Sequence, residues 1–248
     1  MNLSDRRVLV TGGGTGLGAA LARGFAAEGA AVVVAGRRRQ PLDDLASSIP
    51  GIVAVVADVT DEDDVERLFT TAGPFDIVVA NAGAAESAPI TRTSLELWQH
   101  LVDVNLTGVF LTLREASRQL RGSDWGRLIT IASTTGLRGY AYVTAYAASK
   151  HGAVGLTRSL AEELAGTGVT ANALCPGYLA TEMTERTIAN IVDKTGRTRD
   201  EAIRVLAAEH PEARLVELDE VVFAALQLCG PGSDQVNGQA IEINGGGR

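Results

Sequence analysis

The 248-residue sequence is poor in cysteine and proline and has no excess of positive charge. Its two cysteines, Cys175 and Cys229, give neither a disulfide framework nor a Cys-x-x-Cys metal spacing, so a reduced cytoplasmic compartment is expected and no metal. Nowhere do about 18 apolar residues run uninterrupted, which excludes a membrane-spanning helix. Met1 to Arg7 is polar and leads straight into an apolar segment, leaving no room for the regions of a signal peptide. With 30 acidic against 22 basic residues, the formal charge of -8 sets up a mean field that repels nucleic acid, so none is expected as a partner. What is present is 28 glycines against 7 prolines, 46 % hydrophobic and 21 % charged residues. Such values describe a folded chain with many tight turns and exclude disorder.

The length suits one α/β domain. Short runs rich in Val and Ile recur between longer helical patterns, the signature of βαβ units and a parallel sheet covered on both faces. Seven strands are predicted: Arg7 to Thr11, Ala31 to Ala35, Ile52 to Ala57, Asp76 to Ala80, Gly126 to Ala132, Val169 to Leu174 and Gln239 to Ile243. Apolar spacings of three and four predict helices at Gly16 to Glu28, Arg39 to Ser47, Glu62 to Thr71, Leu95 to Arg121, Ala145 to Leu164 and Leu218 to Leu228. Between Thr181 and Leu215 the rhythm is broken by two amphipathic stretches, Met183 to Val192 and one opening at Thr198 with a capping box to Glu201. A small helical lid at about 182–215 is expected, the alternative being a surface hairpin with only a packing role.

The first strand ends in Thr11-Gly12-Gly13-Gly14-Thr15-Gly16-Leu17-Gly18 and passes at once into a helical pattern. Glycines let the backbone turn tightly and approach a pyrophosphate, while the helix N-terminus offers free N–H groups and a positive dipole end. The expected fold is therefore a doubly wound Rossmann domain. About 18 residues on, where an NAD enzyme presents an acid to the ribose 2′-hydroxyl, the chain reads Gly36-Arg37-Arg38-Arg39. A guanidinium fork suits a 2′-phosphate and no carboxylate stands in this run, so NADP(H) is preferred over NAD(H). A solvated basic start to the next helix is the alternative. Asp58-Val59, Asn81-Ala82-Gly83, Ser133 and Pro176-Gly177 close four further strands, where ligands of open α/β sheets bind.

Tyr146 and Lys150 are spaced i, i+4 at the start of a helical pattern and so share one face, with Ser133 at a strand end 13 residues earlier. A phenol titrates near 10, but a neighbouring ammonium and a cationic nicotinamide both favour phenolate, so the Tyr146 pKa is expected to move down. Tyr146 then becomes a usable acid or base.

In combination these motifs make the chain similar to the short-chain dehydrogenase/reductases from about Arg6 to Gly246. The matched residues are the turn Thr11 to Gly18, Asn81 to Gly83, Asn105, Ser133, Tyr146, Lys150, Pro176-Gly177 and Thr181. The resemblance implies that Tyr146 donates or accepts the proton, that Ser133 hydrogen-bonds the reacting oxygen, and that Lys150 binds the nicotinamide ribose. It implies that Asn105 holds a relay water, a locally satisfied helix kink being the alternative. It further implies cofactor contacts from Gly12, Thr15, Gly16, Leu17, Gly18, Arg37, Arg38, Asp58, Val59, Asn81, Ala82, Gly83, Tyr146, Lys150, Pro176, Gly177, Leu179 and Thr181. Departures are Ala80 where a second Asn is usual, Asn244-Gly245-Gly246 for Asp-Gly-Gly, and Thr15 where many NADP-type members carry a basic residue. The long helices Leu95 to Arg121 and Ala145 to Leu164 are expected to pair between subunits in a homotetramer or homodimer.

Ser133, Tyr140, Tyr146, Tyr178 and Met183 are expected around the substrate, with Leu137, Tyr142 and Ile188 nearby. An apolar, acid-poor lining suits a medium-sized carbonyl substrate rather than a sugar. The pattern is similar to 3-oxoacyl reductases and 3-hydroxyacyl dehydrogenases. Asp124 and Thr167 stand where carrier-protein reductases place basic residues, so a coenzyme A thioester, free keto acid or small ketone is favoured over a carrier-bound chain. Alternatives are an NAD-dependent catabolic secondary alcohol or 3-hydroxyacid dehydrogenase and, less favoured, a non-enzymatic dinucleotide-binding protein.

Overall fold

The computed structural model describes residues 2–208 and 211–246. Its strands are β1 (Arg7–Thr11), β2 (Ala31–Gly36), β3 (Ile52–Val56), β4 (Ile77–Ala80), β5 (Gly126–Ile131), β6 (Val169–Pro176) and β7 (Ala240–Ile243). They form one sheet, all parallel, in the order β3-β2-β1-β4-β5-β6-β7. The helices among the described residues are α1 (Gly16–Ala27), α2 (Arg39–Ser48), α3 (Glu62–Ala72), α4 (Leu95–Val102), α5 (Gly108–Gln119), α6 (Thr144–Glu163), α7 (Glu182–Thr195), α8 (Arg199–Ala207) and α9 (Leu218–Gln227). None is long and apolar enough to cross a membrane.

The period of two along a strand sends alternate side chains to opposite faces, and both faces are buried. Val8 and Val10 of β1 pack with Leu21 and Phe25 of α1 and Val221 and Ala225 of α9. Leu9 between them joins Val78, Leu68, Phe69, Val109 and Leu113 on the other side. Each such side chain contributes about 2 kcal/mol by leaving water, which is why β1 and β4 tolerate no polar interruption. A separate small core of Ile188, Ala202 and Leu206, with Tyr178 and Leu215 against it, ties α7 to α8. The capping box from Thr198 to Glu201 opens α8 as the sequence predicts.

Two boundaries move for identifiable reasons. β6 runs on to Pro176 because β7 pairs with it through Pro176↔Ile243. The helix predicted at Leu95 to Arg121 is not one α-helix: a π-helical turn, Asp103–Thr107, separates α4 from α5. The extra residue lets the buried Asn105 side chain leave the helix and bond the Ala84 backbone, accepting from its N–H and donating to its C=O, both at 2.9 Å. Such bulges cluster at functional sites.

The chain winds outward from β1 to β3 and then returns to place β4 beside β1. This reversal opens a crevice at the carboxyl ends of β1 and β4, the switch point where such sheets bind ligands.

Candidate active site

The crevice is fastened at its base by polar bonds between the ends of β1 and β4. Thr11 Oγ1 accepts from the backbone N–H groups of Asn81 at 3.0 Å and Ala82 at 3.1 Å, and Asn81 Nδ2 donates to Thr11 O at 2.8 Å. Above them the glycine turn begins. Gly18 is obligatory for packing, since a Cβ there would lie 2.2 Å from Gly12 O. Gly16, in the left-handed region at φ +52°, faces only the methyl of Thr181.

The first turn of α1 fits a dinucleotide phosphate. α3, α4, α7 and α8 are each capped by a side chain, from Asp61, Ser94, Thr181 and Thr198. Helix α1 has no side-chain cap from Thr15 and no acid in its first turn, so its N–H groups are left for an external anion. Arg38 reaches this turn, its Nη2 donating to Thr15 Oγ1 at 3.3 Å. Arg37 behaves differently. Its Nη1 lies 3.9 Å from Asp58 Oδ2, so a carboxylate from the end of β3 does stand beside the basic run, which inspection of residues 36–39 alone could not disclose. Asp58 Oδ1 also accepts from Thr60 N–H and hydroxyl. Val59 packs against Gly108 so closely that a Cβ there would meet its side chain at 2.8 Å.

On the other side of the crevice, β5 ends in a 3₁₀ turn, Thr134–Gly136, with Ser133 at its start. Ser133 Oγ accepts from Thr135 N–H at 3.1 Å and lies near enough to the Tyr146 hydroxyl to draw its pKa down. Burial pushes the Tyr146 phenol up to about 12, against the pull of Ser133; nearby Tyr178 and Cys175 push it the same way. The expected downward shift is thus reversed in the protein by itself. Lys150 is buried, donates from Nζ to Ile131 O at 2.8 Å and stands 5.8 Å from the Tyr146 ring centroid. Burial pushes its ammonium down to about 8. Gly83 sits between Lys150 and Asn105: a Cβ there would be 3.6 Å from Lys150 Nζ and 3.1 Å from Asn105 Oδ1.

Two participants escaped sequence reasoning. Ser149 receives a hydrogen bond from Asn105 Nδ2 at 3.3 Å and donates to Tyr146 O at 2.8 Å, joining the π turn to the Tyr146 backbone. Its place just before Lys150 was the available signal. Cys175, read only as a free thiol, lies beside the Ser133 backbone N–H, and burial pushes it up to about 11. Nothing local marked it.

The remaining residues spread over the rim. Gly177 N–H donates to Ile243 O at 3.0 Å, Leu179 bridges Val216, and Thr181 Oγ1 caps α7 through Thr184 N–H at 3.4 Å. Tyr178 is close enough to Tyr146 to act on it electrostatically, and Met183 on α7 is exposed. Tyr140 is engaged elsewhere, its hydroxyl accepting from Arg138 Nε at 2.7 Å.

A parallel sheet with a phosphate-ready glycine turn at its switch point, and a Ser, Tyr and Lys converging across the crevice, defines a dinucleotide-dependent oxidoreductase. The chain belongs to the short chain dehydrogenase family, whose profile matches residues 6–191. It is 37% identical over 247 residues to 3-oxoacyl-acyl-carrier-protein reductase MabA of Mycobacterium avium, covering 98% of this chain and 89% of that protein. It is 36% identical over 253 residues to D-beta-hydroxybutyrate dehydrogenase of Cupriavidus necator, covering 98% of each. Among solved structures, an actinorhodin polyketide ketoreductase variant with NADPH superposes with a TM-score of 0.91 at 33% identity, covering 99% of this chain and 98% of that one. The protein is an oxidoreductase acting between CH–OH and C=O with a nicotinamide dinucleotide.

Proposed function

We propose that this enzyme reduces the ketone of a 3-oxoacyl substrate, as a thioester or free acid, to a secondary alcohol, with NADPH as its preferred donor. The observation that carries the reading is the neighbouring Ser133 and Tyr146 hydroxyls beside buried Lys150, together with the uncapped first turn of α1. The similarity to MabA and to a beta-hydroxybutyrate dehydrogenase supports a substrate oxygen at the third carbon.

Bound nicotinamide supplies the hydride to the carbonyl carbon. Tyr146, protonated at neutral pH, donates its proton to the carbonyl oxygen as charge develops there, and Ser133 Oγ donates a hydrogen bond to the same atom. Lys150 presents a cation to the nicotinamide ribose and stabilises the phenolate left on Tyr146. Asn105, locked between Ala84 and Ser149, holds the relay through which Tyr146 regains its proton. Gly12 and Thr15 to Gly18 cradle the pyrophosphate, and Arg37 and Arg38 take the 2′-phosphate. Asp58, Val59 and Asn81 to Gly83 border the adenosine half, while Pro176, Gly177, Leu179 and Thr181 border the nicotinamide. The chain is one catalytic domain in which α7 and α8, with Tyr178 and Met183, form the lid over the substrate.

Turnover of acetoacetyl-coenzyme A with NADPH and NADH tests the reading. The wild type is expected to favour NADPH, and Arg37→Ser/Arg38→Ser to raise KM for NADPH about tenfold with little effect on NADH. A wild-type preference for NADH would replace it with an NAD-dependent 3-hydroxyacid dehydrogenase, the reading that Asp58 beside Arg37 favours.

The enzyme is further proposed to be a homotetramer that uses the faces of α5 and α6. Phe110 is exposed there, at the edge of a groove of about 330 Å³ that Leu113, Arg114, Leu156 and Leu160 also line. Light scattering is expected to give a four-chain mass, and a stable monomer would sink the assembly.

A further inference from the structure

Ser133 and Tyr146 reside on different elements, and the loop 137–143 joins them. Its backbone is continuous with both. At the Ser133 end, Leu137 and Arg138 N–H groups donate to Thr134 O at 2.9 and 3.2 Å. At the Tyr146 end, Val143 O accepts the first helical bond of α6 from Ala147 N–H at 2.7 Å. The loop is thus the direct covalent link between the segments that carry the two hydroxyls.

The loop is held from outside at two points. Arg138 Nη2 lies 3.2 Å from Glu242 Oε1 on β7, and the same guanidinium donates to the Tyr140 hydroxyl and covers its ring at 5.6 Å. Glu242 is itself fixed. Its Oε1 accepts from Asn244 Nδ2 at 2.7 Å, Asn244 is buried, and Asn244 Oδ1 accepts from Gly246 N–H at 3.0 Å. In the β6–β7 register Glu242 pairs with Cys175, whose thiol lies beside the Ser133 backbone N–H. The second hold is at Tyr142, whose C=O accepts from Ala88 N–H at 2.8 Å. Tyr142 has φ +69°, a left-handed conformation that a bulky residue keeps only where its surroundings impose it. The Ala88 segment is in turn pinned by Asn105 through Ala84.

We propose that Arg138 and Glu242 form a latch between the last strand and the substrate loop, and are positioning residues that set the spacing of Ser133 from Tyr146. The inference rests on the proton-transfer roles proposed above for those two residues. Arg138 and Glu242 act through the loop, so they move the rate of the chemical step rather than dinucleotide binding. Tyr140 belongs to the latch as the partner of Arg138.

The test is a double-mutant cycle of Glu242→Ala and Arg138→Met, read in two ways. Amide hydrogen exchange is measured on the protein without substrate, and kcat and KM are measured with acetoacetyl-coenzyme A and NADPH. Each single variant is expected to speed exchange in residues 137–143 and to lower kcat about tenfold, with KM for NADPH and Tm unchanged. The double variant is expected to be no worse than either single one, because the second change removes a partner already lost. Unchanged exchange and kcat, additive losses in the double variant, or losses that track a fall in Tm would each overturn the latch. If the wild type fails to turn over acetoacetyl-coenzyme A, the substrate reading falls, and the exchange cycle alone then decides the latch.

Discussion

Tyr146→Phe is expected to lower kcat for ketone reduction about 10³-fold, within the range that removal of a positioned general acid produces. Phenylalanine keeps the ring and removes only the hydroxyl. Ser133 retains its bond from Thr135 N–H, and Lys150 retains Ile131 O, so the site is left standing without its proton donor. Stability should change by no more than about 1 kcal/mol, the usual worth of one hydrogen bond. Retention of kcat within tenfold would remove Tyr146 from the mechanism.

The pH dependence adds a sign. Burial pushes the Tyr146 phenol up to about 12 in the folded protein, above its ordinary value near 10. The proton is therefore in place across the neutral range, and reduction does not wait on its uptake. Alcohol oxidation needs the phenolate, so its kcat/KM is expected to climb with pH through the neutral range while that of reduction does not. The same raised pKa stabilises the fold fully below pH 10, and this contribution is lost as pH rises towards 12. Urea unfolding at pH 8 and pH 11 should show the wild type losing stability relative to Tyr146→Phe, whose phenyl ring does not titrate.

Arg127→Ala is expected to cost about 4 kcal/mol of stability and to lower Tm by roughly 10 °C. Arg127 is 1% exposed, although it lies in the second position of a strand. Its guanidinium donates to Leu228 O at 3.0 Å, Gly126 O at 2.8 Å and Gly168 O at 3.1 Å, and pairs with Asp234. It also stacks 4.4 Å from the Trp125 ring centroid, with Arg6 at 3.9 Å from the same ring. Truncation removes the guanidinium bonds to three carbonyls, of which Leu228 O keeps Ser233 Oγ and Gly168 O keeps Gly126 N–H, and leaves a cavity among β5, β6 and the end of α9. Asp234→Asn should cost far less, because Asp234 is mostly exposed and asparagine still offers an oxygen. Thermal unfolding of the two variants checks the contrast; equal losses would mean that the ion pair, not the buried carbonyl bonds, carries the effect.

Arg127 also marks the limit of sequence reasoning. The Leu, Ile and Thr run after Gly126 predicts a strand, yet nothing in that run indicates that the arginine at its start is buried. Burial arises because Gly168, Leu228 and Asp234, distant in sequence, supply acceptors to it. The helix at Leu95 to Arg121 fails in the same way. Its apolar spacing is continuous, but the bonds of Asn105 to Ala84 favour an extra residue in the turn. The Tyr146 phenol is a third case: i, i+4 spacing brought Lys150 near, whereas enclosure rather than the ammonium dominates the titration of the protein by itself.

The sequence by itself determined the strand and helix succession, the phosphate-ready turn at Thr11 to Gly18 and the Tyr146–Lys150 face. Strand alternation, helical spacing and glycine turns are written within a few residues of chain, where local sterics and burial patterns act. Only the tertiary structure decided which groups meet across the sheet: Asp58 with Arg37, Cys175 with Ser133, Asn105 with Ala84, and Glu242 with Arg138. Those meetings depend on strand order and register, which bring residues far apart in the chain to one end of the sheet, and a local pattern carries no record of that distance.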